Sequence, residues 1–161
     1  MKALILHANE WLVRAESPST RIGDCEPEKW LGSDDDTGEG PPRPLSRMLI
    51  TERMEECLVA LFQIEEGDNE GTVRRLCRTL KSTAKQFGTR RVMVSPFAHL
   101  SNSRPDPKMA KLLSSLVVKT CDDWNVNGDP GWEIQSSHWG WNKSLVLNVK
   151  GHPNAFKHWS S

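Results

Sequence analysis

The sequence predicts a single α/β domain in which two main helices pack on an antiparallel or mixed sheet. Apolar runs of strand length alternate with two longer segments of helical period. A length of 161 residues, 37% hydrophobic and 26% charged, is typical of one globular domain. Strands that follow one another directly near both ends of the chain favour antiparallel pairing and argue against a doubly wound parallel sheet.

The first strand is predicted over residues 3–6, with a turn at His7, Ala8 and Asn9. Residues 11–13 extend this strand or pair with it. From about residue 14 to residue 47 the chain is rich in Ser, Pro, Gly and acidic residues, which is typical of loops, and we expect a flexible insertion there. Its three consecutive aspartates, at 34–36, do not predict a metal site because adjacent carboxylates cannot all converge on one ion.

A second strand, residues 58–64, precedes two segments whose apolar residues recur every three or four positions, which predicts amphipathic helices. The first helix ends at Gly88, and the second begins at Pro105 and ends before Asp122. The apolar positions are Val73, Leu76, Cys77, Leu80 and Ala84 in the first helix, and Met109, Leu112, Leu113, Leu116 and Val117 in the second.

The C-terminal part of the chain predicts a hairpin. Residues 132–141 are expected to form one strand, paired across a tight turn with residues 143–149, and Gly151, His152 and Pro153 end the pattern. Trp139 and Trp141 flank Gly140, so strand alternation predicts that one indole is core and the other exposed, where a base could stack on it.

The charge balance gives no sign of an extended nucleic-acid surface, because 21 basic residues match 21 acidic ones. Any RNA contact is expected to be local. The four cysteines have no spacing typical of zinc or redox motifs, and we interpret them as free thiols in a reducing cytoplasm. No apolar run is long enough to cross a bilayer, and the N-terminus does not resemble a cleavable signal.

The strand at residues 92–94 stops at Pro96 and leads into Phe97, Ala98 and His99. Backbone groups released at such a strand end need partners, which a small polar substrate could supply. A single histidine after a strand is more often structural than catalytic, and a strand lysine such as Lys143 is more often simply exposed. The pattern alone leaves both interpretations open.

Four motifs in the same order resemble the N-terminal editing domain of archaeal threonyl-tRNA synthetases. They are Arg-Met-Glu-Glu at 53–56, Ser-Pro-Phe-Ala-His-Leu-Ser at 95–101, a lysine at 143, and Lys-Gly-His-Pro at 150–153. The resemblance implies a fold similar to that of D-aminoacyl-tRNA deacylase, a homodimer, and an active site in the sheet region that forms the dimer. It also implies that the chain is an excised N-terminal domain or part of a separate editing subunit, working with a threonyl-tRNA synthetase core.

The implied reaction is hydrolysis of serine wrongly attached to the 3′ end of threonine tRNA, with threonyl-tRNA spared. Lys143 is the implied catalytic residue, His99 is a second candidate, and the 2′-hydroxyl of the terminal adenosine assists. No metal or other cofactor is expected. The substrate-binding positions that we predict are Ile64, Pro96, Phe97, Ala98, Trp139, Gly140 and Asn142.

Two positions depart from the family pattern. Asn142 stands where members carry a tyrosine, and Phe156 stands where they carry an acid. A mechanism that needs either side chain is therefore in doubt for this chain. Two alternatives follow: a broader D-aminoacyl-tRNA deacylase, and a non-catalytic module that binds a tRNA end or forms dimers.

Overall fold

The computed structural model describes residues 1–19, 51–103, 105–126 and 128–161. In chain order, these residues form β1 (Lys2–Pro18), β2 (Thr51–Gln63), α1 (Glu70–Gln86), β3 (Arg91–Pro96), α2 (Pro107–Val126), β4 (Glu133–Ser136), β5 (Trp141–Val149) and β6 (Phe156–Ser160). The described part of the chain therefore holds one six-stranded sheet and two helices. The predicted α/β class with a mixed sheet is confirmed.

The long strand β1 connects the two parts of the sheet, whose order is β4-β3-β2-β1-β5. One edge of β1 pairs antiparallel with β2. The other edge is shared, because β6 pairs with residues 2–6 and β5 pairs with residues 8–18. β2, β3 and β4 are parallel neighbours, and the helices α1 and α2 make the crossovers that parallel strands require.

Both faces of the central strands of the sheet are buried. Alternation along β2 directs Leu58 and Phe62 to the face that packs on the helices, against residues such as Leu76. Val59 and Leu61 face the other way and belong to a second apolar cluster, which includes Trp11 and Met93. Strands buried on two faces form the near-continuous apolar runs seen in the sequence.

The predicted turn at His7, Ala8 and Asn9 is wrong, because β1 runs through these residues without interruption. The pairing of β1 with β5 shifts register between Ala8 and Glu10, and Glu56, on the neighbouring strand, has a φ of 50°. A bulge adds one residue and reverses the inside-outside alternation beyond it. The polar residue Asn9 therefore marks a bulge inside a strand.

The predicted C-terminal hairpin is also wrong. β4 pairs in parallel with β3, and β5 pairs with β1. Residues 137–140 link the two strands, and Gly140, with φ at 79°, lies at the end of this link. The backbone groups of β4 and β5 are each paired with a strand that is distant in sequence. The order of segments along the chain does not predict such pairing.

Several predicted boundaries differ from the observed ones. α2 begins at Pro107 and continues to Val126, and its residues Met109 and Leu112 are exposed. Residues 14–18 of the predicted insertion belong to β1, whereas 20–47 lie outside the described residues. The sixth strand, β6, was not predicted. Helix α1 matches the predicted helix, with Asn69 as its N-cap.

The cysteines in the described residues pack in the core. Cys57, Cys77 and Cys121 are buried free thiols, and Cys25 lies outside the described part of the chain. Burial raises the pKa of the Cys57 thiol to about 12, so it is not a nucleophile at neutral pH. None of the described helices is long and apolar enough to span a membrane, and location in the cytoplasm stays a prediction.

Candidate functional site

The loop that follows β3 is fixed by the end of β2. The Phe97 amide donates to the Phe62 carbonyl at 2.7 Å. Gln63, buried with 6% exposure, accepts hydrogen bonds at Oε1 from the amides of Leu100 and Ser101 at 2.7 and 2.8 Å. Its Nε2 donates to the Ser101 and Ser103 carbonyls, both at 3.1 Å. One buried amide side chain thus holds the loop in place.

Lys143 lies at the centre of the candidate site. It stands opposite Ala15 on β1, next to a register shift between Ala15 and Ser17, and such a bulge re-aims neighbouring side chains. Its Nζ lies 3.1 Å from the Ser137 hydroxyl and 3.4 Å from the Pro96 carbonyl. The ammonium group therefore has a defined position at the end of β3, where the sequence predicted a site.

The contact between Lys143 and Pro96 shows that the sheet is curled. These residues lie on β5 and β3, which are separated by β2 and β1 in the sheet order. Three strand spacings would place them about 14 Å apart in a flat sheet. Ser137, which follows β4, completes the contact through a 2.5 Å hydrogen bond to the Ser95 hydroxyl. The site therefore lies on the concave face, away from the helices.

A small cavity opens beside Lys143. Its other walls combine apolar strand residues with polar ones: Val13, Ala15, Glu52, Ser137 and His138. Nδ1 of His138 lies 3.3 Å from Oε1 of Glu52. One cavity thus contains an ammonium group, a carboxylate, an imidazole and a hydroxyl, which together can bind both charged and neutral polar groups of a ligand.

The predicted residues of the loop differ in their surroundings. The Pro96 carbonyl accepts a hydrogen bond from Lys143. Phe97 is partly buried against the second apolar cluster, the one that includes Trp11 and Met93. Ala98 and His99 are exposed, and the His99 ring packs edge-on against Phe97 with 5.3 Å between centroids. Ile64 lies in the core beside the helices and does not line the cavity. Its role as a substrate-pocket wall stays a prediction.

The residues before Lys143 form the link between β4 and β5. The Gly140 carbonyl accepts a hydrogen bond from the Ser19 amide at 2.8 Å, and Asn142 donates to the Ser17 hydroxyl at 3.1 Å. The prediction for the tryptophans is wrong, because Trp139 and Trp141 are both partly buried. Trp139 lies in the link rather than in a strand, so strand alternation does not apply to it.

Phe156, the second position that departs from the family pattern, lies far from the cavity of its own chain. It pairs with Leu6 on β1, whereas Lys143 pairs with Ala15. Nine residues of strand separate Leu6 from Ala15, roughly 30 Å along the sheet. His152 lies near the same end as Phe156, with its Nε2 2.8 Å from Nδ1 of His7. The structure therefore places His152 in a packed corner.

The sequence did not predict Glu52, Ser137 or His138 as members of the site, nor Gln63 as its support. The role of Gln63 could have been predicted, because a polar residue directly after the apolar residues of β2 is unusual unless its side-chain amide is hydrogen-bonded. Ser137 and His138 lie in a segment interpreted as strand. Glu52 directly precedes a matched motif, but nothing in its own neighbourhood predicts a position next to residue 138.

The chain is similar to known proteins in sequence and in fold. Residues 45–158 match the archaea-specific editing domain of threonyl-tRNA synthetase, and the chain belongs to this family. It is similar to the threonine–tRNA ligase of Nitrosopumilus maritimus, with 31% identity over 105 residues, covering 65% of this chain and 16% of the ligase. The ligase of Methanoculleus marisnigri is 33% identical over 94 residues, covering 58% of this chain and 15% of the ligase.

The chain thus spans about a sixth of the length of the curated relatives it matches. Among solved structures, the c-Myc DNA Unwinding Element Binding Protein aligns with a TM-score of 0.55 at 11% identity. The alignment covers 100% of this chain and 99% of that chain. At this level of identity the likeness shows a shared fold.

The support given by Gln63 is testable by replacing Gln63 with methionine, which keeps its length and removes its hydrogen-bonding groups. We expect the free energy of unfolding to fall by about 1–3 kcal/mol, because two partly buried backbone amides lose their acceptor. Amide exchange at Leu100 and Ser101 should accelerate. The same change at Gln86, exposed at the end of α1, is the control and should leave both measurements unchanged. Unaltered exchange at Leu100 in the Gln63 variant would contradict this role.

Proposed function

We propose that this chain is a proofreading hydrolase that cleaves L-serine from mischarged threonine tRNA and spares threonyl-tRNA. It would act on the 3′ end of the tRNA, beside the synthetase core of a threonyl-tRNA synthetase. The observation that carries the proposal is the contact between Lys143 and the Pro96 carbonyl at 3.4 Å. Two positions of the family pattern that are distant in sequence meet there, beside the cavity that Lys143 lines.

Lys143 supplies the charge in the proposed mechanism. Its ammonium group is compact and has several donors, so it can approach the ester carbonyl while Ser137 holds it. When water attacks the carbonyl carbon, negative charge develops on the carbonyl oxygen, and a nearby fixed cation stabilises that charge. The carbon–oxygen bond to the ribose then breaks, and the ribose oxygen takes a proton, which releases serine and intact tRNA.

The substrate supplies a further group. The terminal adenosine carries a hydroxyl next to the ester, held close to the attacking water at no entropic cost to the protein. We propose that this 2′-hydroxyl positions or activates the water while Lys143 stabilises the charge. Phe156 stands where the family pattern has an acid, so this position supplies no carboxylate that could take part in the reaction.

We propose that the walls of the cavity select serine over threonine. A synthetic site gains only ~1–3 kcal/mol from one methyl group, which is too little for accurate translation. A second site that excludes the methyl completes the discrimination. The cavity is small and is lined by the buried apolar side chains of Val13 and Ala15, which leave little space for a larger substrate side chain.

The proposal is tested by measuring release of serine and threonine from charged threonine tRNA. We expect the wild-type chain to cleave the seryl ester and to spare the threonyl ester. Lys143→Met should slow serine release by about 10²-fold or more, and far more than His99→Ala. Lys157→Met, at an exposed position on β6, is the control and should retain full activity. Equal losses in the Lys143 and His99 variants would remove Lys143 from the central role.

Substrate assistance is tested with seryl-tRNA that ends in 2′-deoxyadenosine. We expect this substrate to bind and to be hydrolysed ~10²–10⁴-fold more slowly, the scale of losing a positioned acid–base group. Single-turnover rates separate the chemical step from binding. Cleavage at a near-normal rate would mean that a protein side chain is the base, and His138, the imidazole that lines the cavity, would then be a stronger candidate than the exposed His99.

We also propose that the chain is a homodimer. β5 lies at one end of the strand order, and edge strands offer unpaired backbone groups to another chain. Two consecutive apolar residues of this strand are exposed: Leu145 is 39% and Val146 is 58% exposed. Exposed apolar residues along a sheet edge are typical of association surfaces.

Val146→Lys tests the dimer. A charge on an edge strand opposes pairing with a second copy, so sedimentation at micromolar concentration should shift from dimer to monomer. Val126→Lys is the matched control, since Val126 is 82% exposed at the end of α2. A wild-type chain that sediments as a monomer would contradict the proposal.

A further inference from the structure

The carboxylate of Glu52 has an unusual position for a charged group. Its side chain is 19% exposed and lines the cavity beside Lys143. Oε1 contacts His138 at 3.3 Å. Oε2 is shielded from solvent and has no hydrogen-bond partner among the residues that the structure describes. One oxygen of a shielded carboxylate thus has a partner and the other does not.

Such an arrangement is costly without a ligand. A buried acceptor without a hydrogen bond loses the interactions it had with water, and the loss is larger when the group is charged. A ligand that brings a cationic N–H donor would satisfy Oε2 and neutralise the carboxylate at once. A neutral donor such as a hydroxyl would satisfy Oε2 without neutralising the carboxylate, and an anionic group that lacks a donor would do neither.

The strand register sets the spacing between Glu52 and Lys143. Glu52 pairs with Val13 on one edge of β1, and Lys143 pairs with Ala15 on the other edge. Val13 and Ala15 are two residues apart, so their side chains project from the same face. Two strand spacings and this offset place the Cα atoms of Glu52 and Lys143 about 12 Å apart, and their long side chains border the cavity between them.

An aminoacyl ester matches this pair of charges. At neutral pH its α-amino group carries positive charge, and its carbonyl oxygen becomes negative as water attacks. These two groups are attached to adjacent carbon atoms. With the carbonyl beside Lys143, an ammonium directed towards β2 meets the unpartnered oxygen of Glu52.

We propose that Glu52 binds the α-ammonium group of the aminoacyl ester and that His138 holds the carboxylate in place for this contact. The inference rests on the proposed function, since it assigns a substrate group to a further residue of the same cavity. Glu52 fixes the orientation of the substrate, and Lys143 acts on the ester. The cavity therefore selects esters of amino acids over esters of acids that lack an amino group.

The test compares two esters on the same tRNA. One carries L-serine, and the other carries L-glyceric acid, in which a hydroxyl replaces the amino group. We expect the wild-type chain to prefer the seryl ester by ~10–100-fold in kcat/KM, the scale of a charge-assisted hydrogen bond. Glu52→Gln should reduce this preference to a few-fold by slowing seryl cleavage, with glyceryl cleavage little changed. Glu52→Asp retains the charge and should retain a measurable part of the preference.

Glu16→Gln is the matched control. Glu16 lies on β1 next to Ala15 but is exposed, and it bonds to Ser144 outside the cavity. This variant should keep the wild-type preference. If Glu52→Gln slowed both esters equally, or if the wild-type chain did not discriminate between them, the inference would be overturned. If the wild-type chain cleaved neither ester, the proposed hydrolase function would fail instead.

The comparison requires that the Glu52→Gln variant is folded, and thermal unfolding of the variant measures its stability. We expect its Tm to equal or exceed that of the wild-type chain, because an amide costs less to bury than a carboxylate. A large fall in Tm would show that the contact between Glu52 and His138 serves the fold, and this would overturn the inference. His138→Gln gives an independent readout, since it leaves the carboxylate in place and should weaken the preference less than Glu52→Gln does.

Discussion

The hydrogen bonding of β1 along both of its edges is the constraint on which the rest of the structure depends. β1 joins the helix-crossed strands β2, β3 and β4 to the C-terminal strands β5 and β6. Its register shifts near Asn9 and Glu16 change which residues face inward. The curled sheet that results brings β5 within reach of the end of β3, so the position of Lys143 depends on β1 more than on its own neighbours in sequence.

The arrangement of charge in the cavity follows from this pairing. β1 contributes only the small apolar side chains of Val13 and Ala15 there, and the strands on its two sides contribute Glu52 and Lys143. The two charged groups thus lie on opposite edges of one strand and border the same cavity. Two charges placed in this way suit a ligand that carries complementary charge at both ends, because little reorganisation is needed on binding.

The sequence predicted the fold class and helix α1 well, since both depend on local periodicity. It predicted the wrong partners for β4 and β5, because strand pairing is decided by hydrogen bonds between distant segments. The same limit applies to the site. Lys143 and Pro96 belong to motifs that the family pattern contains, whereas Glu52 and His138 meet only through the curl of the sheet. Neither residue lies in a local pattern that predicts the other.

The two departures from the family pattern have different consequences for the chemistry. Phe156 lies on β6, remote from Lys143 in the same chain, and Asn142 bonds to Ser17 outside the cavity. The charged groups of the cavity therefore come from other positions, with Lys143 on β5 and Glu52 on β2. Since Glu52 contacts an imidazole and Lys143 contacts hydroxyl and carbonyl oxygens, each charge is oriented before a substrate arrives. The cost of ordering these side chains is met in folding, so a bound ester need only displace water.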